Sequence, residues 1–335
     1  MITITRQETS FHQSQDVVLL RITNSEGAYI EITNYGATIT AIVIPDRHGR
    51  LDNVVLHYDR LTDYYNDPFY MGSTVGRYAN RISNAEFTLD EKTCCLDIND
   101  GRNCIHGGFS GFSKQVFEYK INKNNVLFTL ISPDGDGGFP GELKLDVIYS
   151  FSDKNELVVV YNVCASKRTV VNLTNHTYFN LAANNKDILD HHLRVKAGQY
   201  LESNNEFLPT GNILPVKNTA FDFNEYQLIN KMISLKNDFL KGYNTYFINE
   251  NDNLKTLATL WNKSSGRIVD VYTSMPGVLI YTGDYLAEPF SPFRGICLEA
   301  QYYPDGINNP HFKSSILSPY QEKTEIIGYR FGCVT

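Results

Sequence analysis

Alternating apolar and polar positions predict β-strands along much of the chain. Between Leu143 and Phe151 the odd positions are apolar and the even positions mostly polar, which is the period of a strand with one buried face. Shorter apolar runs bounded by Gly, Asn and Asp predict further strands at 29–33, 126–131, 157–163, 193–197, 268–273 and 278–282. Many short strands in one chain are typical of a β-sandwich or barrel.

Helical periodicity is nearly absent from the same pattern. Residues 225–235 predict one helix, because Leu228, Met232 and Leu235 recur at helical spacing. Strands and helices do not alternate, so a doubly wound nucleotide fold is disfavoured. No internal repeat or Pro-rich linker interrupts the chain. We therefore predict an all-β protein with a single domain over residues 1–335.

Composition and charge limit the classes of binding partner that the chain is expected to have. Aromatic residues make up 13% of the chain, which favours sheet. Lys and Arg number 30 against 37 Asp and Glu, giving a net charge of −7. Nucleic acid and anionic membranes both require clustered positive charge, so neither is an expected partner. No stretch of about 18 consecutive apolar residues predicts a membrane span.

The cysteines and the N-terminal residues bear on location. The six cysteines have neither the density of a small secreted scaffold nor paired zinc-binding spacing. The first residues lack the basic and apolar segments of a signal peptide. We expect a cytoplasmic protein, either a monomer or a homodimer.

Motifs for common cofactors are missing from the sequence. Residues 72–77 lack the Gly-Lys-Ser/Thr ending of a phosphate loop, and no GxGxxG or HExxH motif occurs. The adjacent His191 and His192 would face opposite ways on a strand, so they do not predict a shared metal. The Gly-rich residues 134–138 lack the remaining ligands of a calcium loop and predict a turn. We therefore expect no cofactor and no catalytic metal.

Four polar segments stand out because they combine ionisable groups with small or aromatic residues. They lie at 76–81, 103–108, 172–180 and 297–301. Taken singly, each has an ordinary explanation, such as a surface ion pair, a solvated His or an outward-facing Glu on a strand. Taken together, at predicted strand ends, they indicate one site.

The residues of these segments, and their order along the chain, resemble the motifs of the aldose 1-epimerase family, also called galactose mutarotases. The resemblance covers nearly the whole chain and includes Asn-Tyr-Gly-Ala at 34–37, the segment 72–82, His-Gly-Gly at 106–108, Ser-Pro-Asp-Gly at 132–135, Gly-Phe-Pro-Gly at 138–141, the segment 174–181, Pro-Thr-Gly at 209–211, Phe-Asp-Phe at 221–223, Tyr-Thr-Gly at 281–283 and Leu-Glu at 298–299. It implies a large β-sandwich of the supersandwich type, whose concave face holds a sugar.

The resemblance also implies a reaction and its residues. Interconverting α and β anomers opens a cyclic hemiacetal, which requires a base at the anomeric hydroxyl and an acid at the ring oxygen. By resemblance, Glu299 is the base and His176 the acid. Arg77 and His106 would contact the sugar near its reacting oxygens. The other residues predicted to bind substrate are Asn80, Tyr178 and Asn244.

Departures from the family pattern leave other functions open. Asn244 follows Gly-Tyr where Asp is common, Leu279 stands where many members have Gln, and Ser113 stands where Asp is usual. An isomerase acting on another sugar carbon or another cyclic hemiacetal, and a non-catalytic sugar-binding protein, are the alternatives. A glycosidase is disfavoured because that reaction usually uses paired carboxylates. A phosphorylated sugar would need more Arg or Lys than the segments carry.

Overall fold

The computed structural model describes residues 1–184, 186–235, 241–249, 254–313 and 315–334, and its regular structure is mostly strand. The alternation between Leu143 and Phe151 is confirmed: Leu145 and Val147 are fully buried, whereas Lys144 is exposed. The all-β prediction is therefore confirmed.

The N-terminal residues form an antiparallel sheet whose strands pair in chain order, since each hairpin returns directly onto its predecessor. Its strands are Thr3–His12, Gln15–Thr23, Tyr29–Thr33, Thr38–Pro45 and Leu51–Asn53.

A larger antiparallel sheet combines the middle of the chain with its C-terminal strand. In spatial order its strands are Glu118–Ile121, Val126–Ser132, Leu143–Phe151, Glu156–Ala165, Lys323–Cys333, Arg267–Thr273, Thr256–Trp261, His192–Val195 and Gln227–Leu228. The long strand Lys323–Cys333 joins the two halves of this sheet, because it pairs on one side with Glu156–Ala165 and on the other with Arg267–Thr273.

A third antiparallel sheet positions the site described below. In spatial order its strands are Tyr178–Phe179, Ile296–Gln301, Gly277–Tyr281, Asn244–Ile248, Gln199–Ser203 and Pro209–Pro215. Short two-stranded ladders pair Thr74–Val75 with Thr174–Asn175, Arg81–Ile82 with Cys104–Ile105, Glu86–Leu89 with Lys92–Cys95, and Thr169–Val170 with Ile316–Leu317.

Helical structure is scarce in the described part of the chain. The predicted helix at 225–235 is shorter, Ile229–Ser234, because Gln227–Leu228 instead pairs with His192–Leu193 as a strand. Short 3-10 helices occur at Leu61–Asn66, Ser83–Ala85, Phe112–Lys114 and Asp136–Gly138. Among the described residues, no helix is long and apolar enough to cross a membrane.

The three sheets share a hydrophobic core. One cluster of buried side chains includes Val18 of the first sheet, Val147 of the second and Val278 of the third. Burial of apolar surface between facing sheets is the main stabilising force of a β-sandwich. That one domain spans residues 1–335 stays a prediction, and this common core supports it.

Candidate active site

The backbone of His176 is anchored to a neighbouring loop. Its N–H donates to the carbonyl of Ser73 at 2.9 Å, and its carbonyl accepts the N–H of Gly72 at 2.9 Å. Gly72 has φ +68, and a Cβ there would lie 2.0 Å from the carbonyl oxygen of Ile39. Only glycine fits this close approach. The loop and the strands flanking His176 are thus held together.

Glu299 lies within the strand Ile296–Gln301, between two paired strands, and is 1% exposed. Its direct partner across the ladder is Leu279, an apolar side chain. Oε1 lies 3.7 Å from Nε2 of His176, whereas Oε2 meets no hydrogen-bond partner among the described residues. Burial raises the pKa of Glu299 to about 8, because the apolar surroundings disfavour the carboxylate.

The pKa of the His176 imidazole is shifted in the opposite direction to that of Glu299. Burial lowers the pKa of His176 to about 4, since the charged form loses hydration. Between about pH 4 and pH 8, a carboxyl with a raised pKa and an imidazole with a lowered pKa together hold a single proton. The pair then carries no net charge. Because the two groups interact, their apparent pKa values belong to the pair and not to either residue alone. Such a pair can take a proton at one atom and give one at the other.

His106 is placed as a hydrogen-bond donor. Its Nδ1 accepts the backbone N–H of Asn80 at 3.2 Å, so the proton of the neutral ring resides on Nε2. Burial, together with the nearby His176 and Arg81, lowers the pKa of His106 well below its ordinary value. Its ring lies edge-on to that of His176, with centroids 5.4 Å apart. A neutral imidazole therefore presents an N–H beside the pair.

A cavity of about 390 Å³ opens onto these groups. Its lining residues are Pro68, Phe69, Tyr70, Asn80, Arg81, Asp100, Ile105, His106, His176, Tyr178, Phe207, Asn244, Leu279, Tyr281, Tyr285 and Glu299. Six predicted site residues thus converge on one cavity although they come from distant parts of the sequence: Asn80, His106, His176, Tyr178, Asn244 and Glu299. Polar groups set among aromatic side chains are typical of a small-molecule site.

Arg77 is the exception among the predicted residues, because it does not line the cavity. Its buried guanidinium donates to the carbonyls of Pro140 and Gly141, at 3.0 and 2.7 Å, and to Oγ of Ser132 at 2.6 Å. Burial lowers the pKa of Arg77 to about 10. The side chain thus holds the loop at 132–141 and is not among the residues that line the cavity, and its contact with a sugar stays a prediction.

Arg81 brings positive charge to the cavity in its place. Its Nε lies 2.6 Å from Oδ2 of Asp100, and its guanidinium lies 5.1 Å from the ring centre of Phe207. The side chain is thus ion-paired and also lines the cavity. Asp100 balances its charge.

Several cavity residues were missed by the sequence reasoning. They are Tyr70, Arg81, Phe207, Tyr281 and Tyr285. Tyr70 packs edge-on against His106 with ring centroids 4.5 Å apart. The available signal was their position in or next to the motifs at 72–82, 209–211 and 281–283. Which of them points into a cavity depends on the folding of loops, which the motifs do not encode.

Three potential metal ligands also meet here. Donor atoms of His176, Cys297 and Glu299, all buried, lie within 4.8 Å of one another. However, Nδ1 of His176 faces Cys297 while Nε2 faces Glu299. The two ring nitrogens of His176 thus face different neighbours, which leaves Nε2 beside Glu299 for proton transfer. That no metal is required stays a prediction.

Comparison with known proteins identifies the family. The family model for aldose 1-epimerase matches residues 18–330. The galactose mutarotase of Rattus norvegicus is 40% identical over 317 residues, covering 92% of each chain. The aldose 1-epimerase of Escherichia coli is 32% identical over 328 residues, covering 93% of this chain and 94% of its own.

A solved structure agrees with these relatives. The aldose epimerase homologue from C. elegans superposes with a TM-score of 0.90 at 27% identity, covering 94% of this chain and 98% of its own. The large β-sandwich that the sequence resemblance implied is thereby confirmed. Matched along nearly its whole length by both sequence and fold, the chain belongs to the aldose 1-epimerase family.

Proposed function

We propose that this protein is an aldose 1-epimerase, an isomerase that interconverts the α and β anomers of a free hexose such as galactose or glucose. The observation that carries the proposal is the pair of His176 and Glu299, whose side chains are buried from bulk solvent, lie 3.7 Å apart and line the same cavity. The opposite shifts of their pKa values suit an acid and a base that exchange roles. The activities in the names of the relatives support the same reaction.

The proposed reaction needs only these two groups for its proton transfers. The Glu299 carboxylate takes the proton of the anomeric hydroxyl while the His176 imidazolium protonates the ring oxygen, and the bond between C1 and the ring oxygen breaks. The open-chain aldehyde then rotates about its first carbon–carbon bond. On reclosure neutral His176 takes back the hydroxyl proton and protonated Glu299 gives its own to the aldehyde oxygen. The pair ends with the proton count it began with.

Neighbouring residues are proposed to bind the sugar and steady its developing charge. The Nε2–H of His106 is a donor for a sugar oxygen near the pair. Arg81, in place of Arg77, would supply positive charge at the cavity. Asn80 and Asn244 offer amides for hydroxyl groups, and Tyr178 offers an aromatic surface.

The cavity favours a neutral sugar over a phosphorylated one. Arg81 is already paired with Asp100 at 2.6 Å, whereas a phosphate is bound best by unpaired cationic side chains. The second candidate function is isomerisation at another carbon or of another cyclic hemiacetal. Asn244 and Leu279 favour it, because both line the cavity where the family commonly has Asp and Gln.

Polarimetry on freshly dissolved α-galactose and α-glucose tests the proposal. The wild type should speed mutarotation above the spontaneous rate of a buffer blank. Glu299→Gln and His176→Gln should remain folded and lose most of this acceleration, since each keeps a side chain of similar shape but removes a proton-transfer group. Full turnover in either variant would refute the assigned roles. A folded, inactive wild type would favour the second candidate, to be examined on a wider sugar panel.

Cytoplasmic location and a monomeric or homodimeric state are part of the proposal. All six cysteines, each within the described chain, are free, which suits a reducing compartment. Light scattering at several protein concentrations would measure the oligomeric state.

A further inference from the structure

Cys297 is a buried thiol that contacts the proposed acid but has no part in the proton transfers. It lies two residues before Glu299 on the strand Ile296–Gln301, so both side chains project from the same face. Its exposed fraction is 0%. Its Sγ lies 3.5 Å from Nδ1 of His176. A thiol sulfur is a weak hydrogen-bond acceptor and its S–H a weak donor, so the direction of this contact depends on the imidazole tautomer.

The reaction itself requires one tautomer. Nε2 of His176, which faces Glu299, must give a proton to the sugar ring oxygen and later take one back. It can take one back only if its lone pair is free in the neutral ring, so that ring must keep its proton on Nδ1. The Nδ1–H then needs an acceptor. The sulfur of Cys297 lies within reach, and the backbone carbonyl of His176, which also interacts with its own ring, already accepts the N–H of Gly72.

We propose that Cys297 is a positioning residue whose Sγ accepts the Nδ1–H of His176 and so assigns proton exchange to Nε2. The inference rests on the proposed role of His176 as the acid. A neutral partner suits this task, because a carboxylate beside Nδ1 would hold the imidazolium in its charged form. Burial raises the pKa of the Cys297 thiol well above its ordinary value, so the sulfur stays uncharged. His191 provides the contrast, because its Nδ1 does contact a carboxylate, that of Asp190, at 2.8 Å.

The tautomer can be measured on the wild-type protein. Long-range ¹H–¹⁵N spectra of protein labelled at histidine, with His176 assigned by its loss in His176→Gln, separate protonated from unprotonated ring nitrogens. At about pH 6 the ring is neutral and the carboxyl of Glu299 is protonated, because this pH lies between the two pKa values of the pair. Nδ1 should be protonated and Nε2 should carry the lone pair. A neutral ring protonated on Nε2 would overturn the proposal.

Substitution tests whether the sulfur is responsible. Cys297→Ala should lower kcat at least about tenfold, leave KM within about threefold and move part of the ring proton to Nε2. Cys297→Ser, whose oxygen can accept the Nδ1–H, should recover much of kcat. Unchanged kcat in the Ala variant, or a Ser variant as slow as the Ala variant, would refute the role. Cys164→Ala, which removes a thiol from the strand Glu156–Ala165 of another sheet, is the control and should keep wild-type kcat.

Failure of this inference can be told apart from failure of the proposed function. If Glu299→Gln and His176→Gln keep full turnover, the proposed acid and base are wrong. If both are inactive while Cys297→Ala keeps wild-type kcat, only the role of Cys297 is wrong. Thermal unfolding of every variant identifies losses of activity that come from misfolding.

Discussion

Replacing Glu299 by Gln should stabilise the folded protein increasingly with pH while removing its activity. Burial raises the pKa of Glu299 from 4.5 to about 8. Below pH 4.5 the carboxyl is protonated in both the folded and the unfolded chain, so its titration adds no penalty. Between these values it ionises only in the unfolded chain, and the free energy of unfolding falls as pH rises. At about 1.4 kcal/mol per pKa unit, the penalty reaches about 5 kcal/mol above pH 8.

Urea denaturation of both proteins at about pH 4.5, 7 and 9 measures this effect. The Gln variant lacks the titrating group, so its free energy of unfolding should exceed that of the wild type by an amount that grows with pH. Glu118→Gln removes the same charge from an exposed position on an edge strand and is the control. A stability difference that does not change with pH, or a Gln variant less stable than the wild type at pH 9, would refute the reasoning.

Three further predictions follow from the same geometry. The pH dependence of kcat/KM should be bell-shaped, because activity needs one proton on the pair. The value of kcat/KM should fall below about pH 4 and above about pH 8. A kcat/KM that does not change with pH across either limb would contradict the assignment. Leu279→Gln places an amide opposite Glu299 and should lower the alkaline limb by about one pH unit, so an unmoved limb would show that Leu279 does not set the pKa. Arg77→Ala should lower the free energy of unfolding by about 3 kcal/mol with little change in KM, because it leaves buried carbonyls without donors, whereas Arg81→Ala should raise KM; the reverse pattern would contradict their assigned places.

Local pattern was enough to predict the class of fold and several strands. The strand Leu143–Phe151 has its predicted bounds because a period of two places every second side chain in the core. The helix was overestimated, because pairing of Gln227–Leu228 with a neighbouring strand competes with helical spacing. Long-range pairing of this kind leaves no mark in the local pattern.

The sequence by itself determined which residue types were available for chemistry, through motifs that resemble one family and include Glu299 and His176. Only the tertiary structure decided which of them share a cavity. It turned Arg77 into a loop clamp and brought Arg81 to the cavity, although the two lie four residues apart in one motif. It also set the acid–base properties of the pair, because a pKa depends on desolvation and on neighbours such as Leu279, which reach Glu299 only when strands pair.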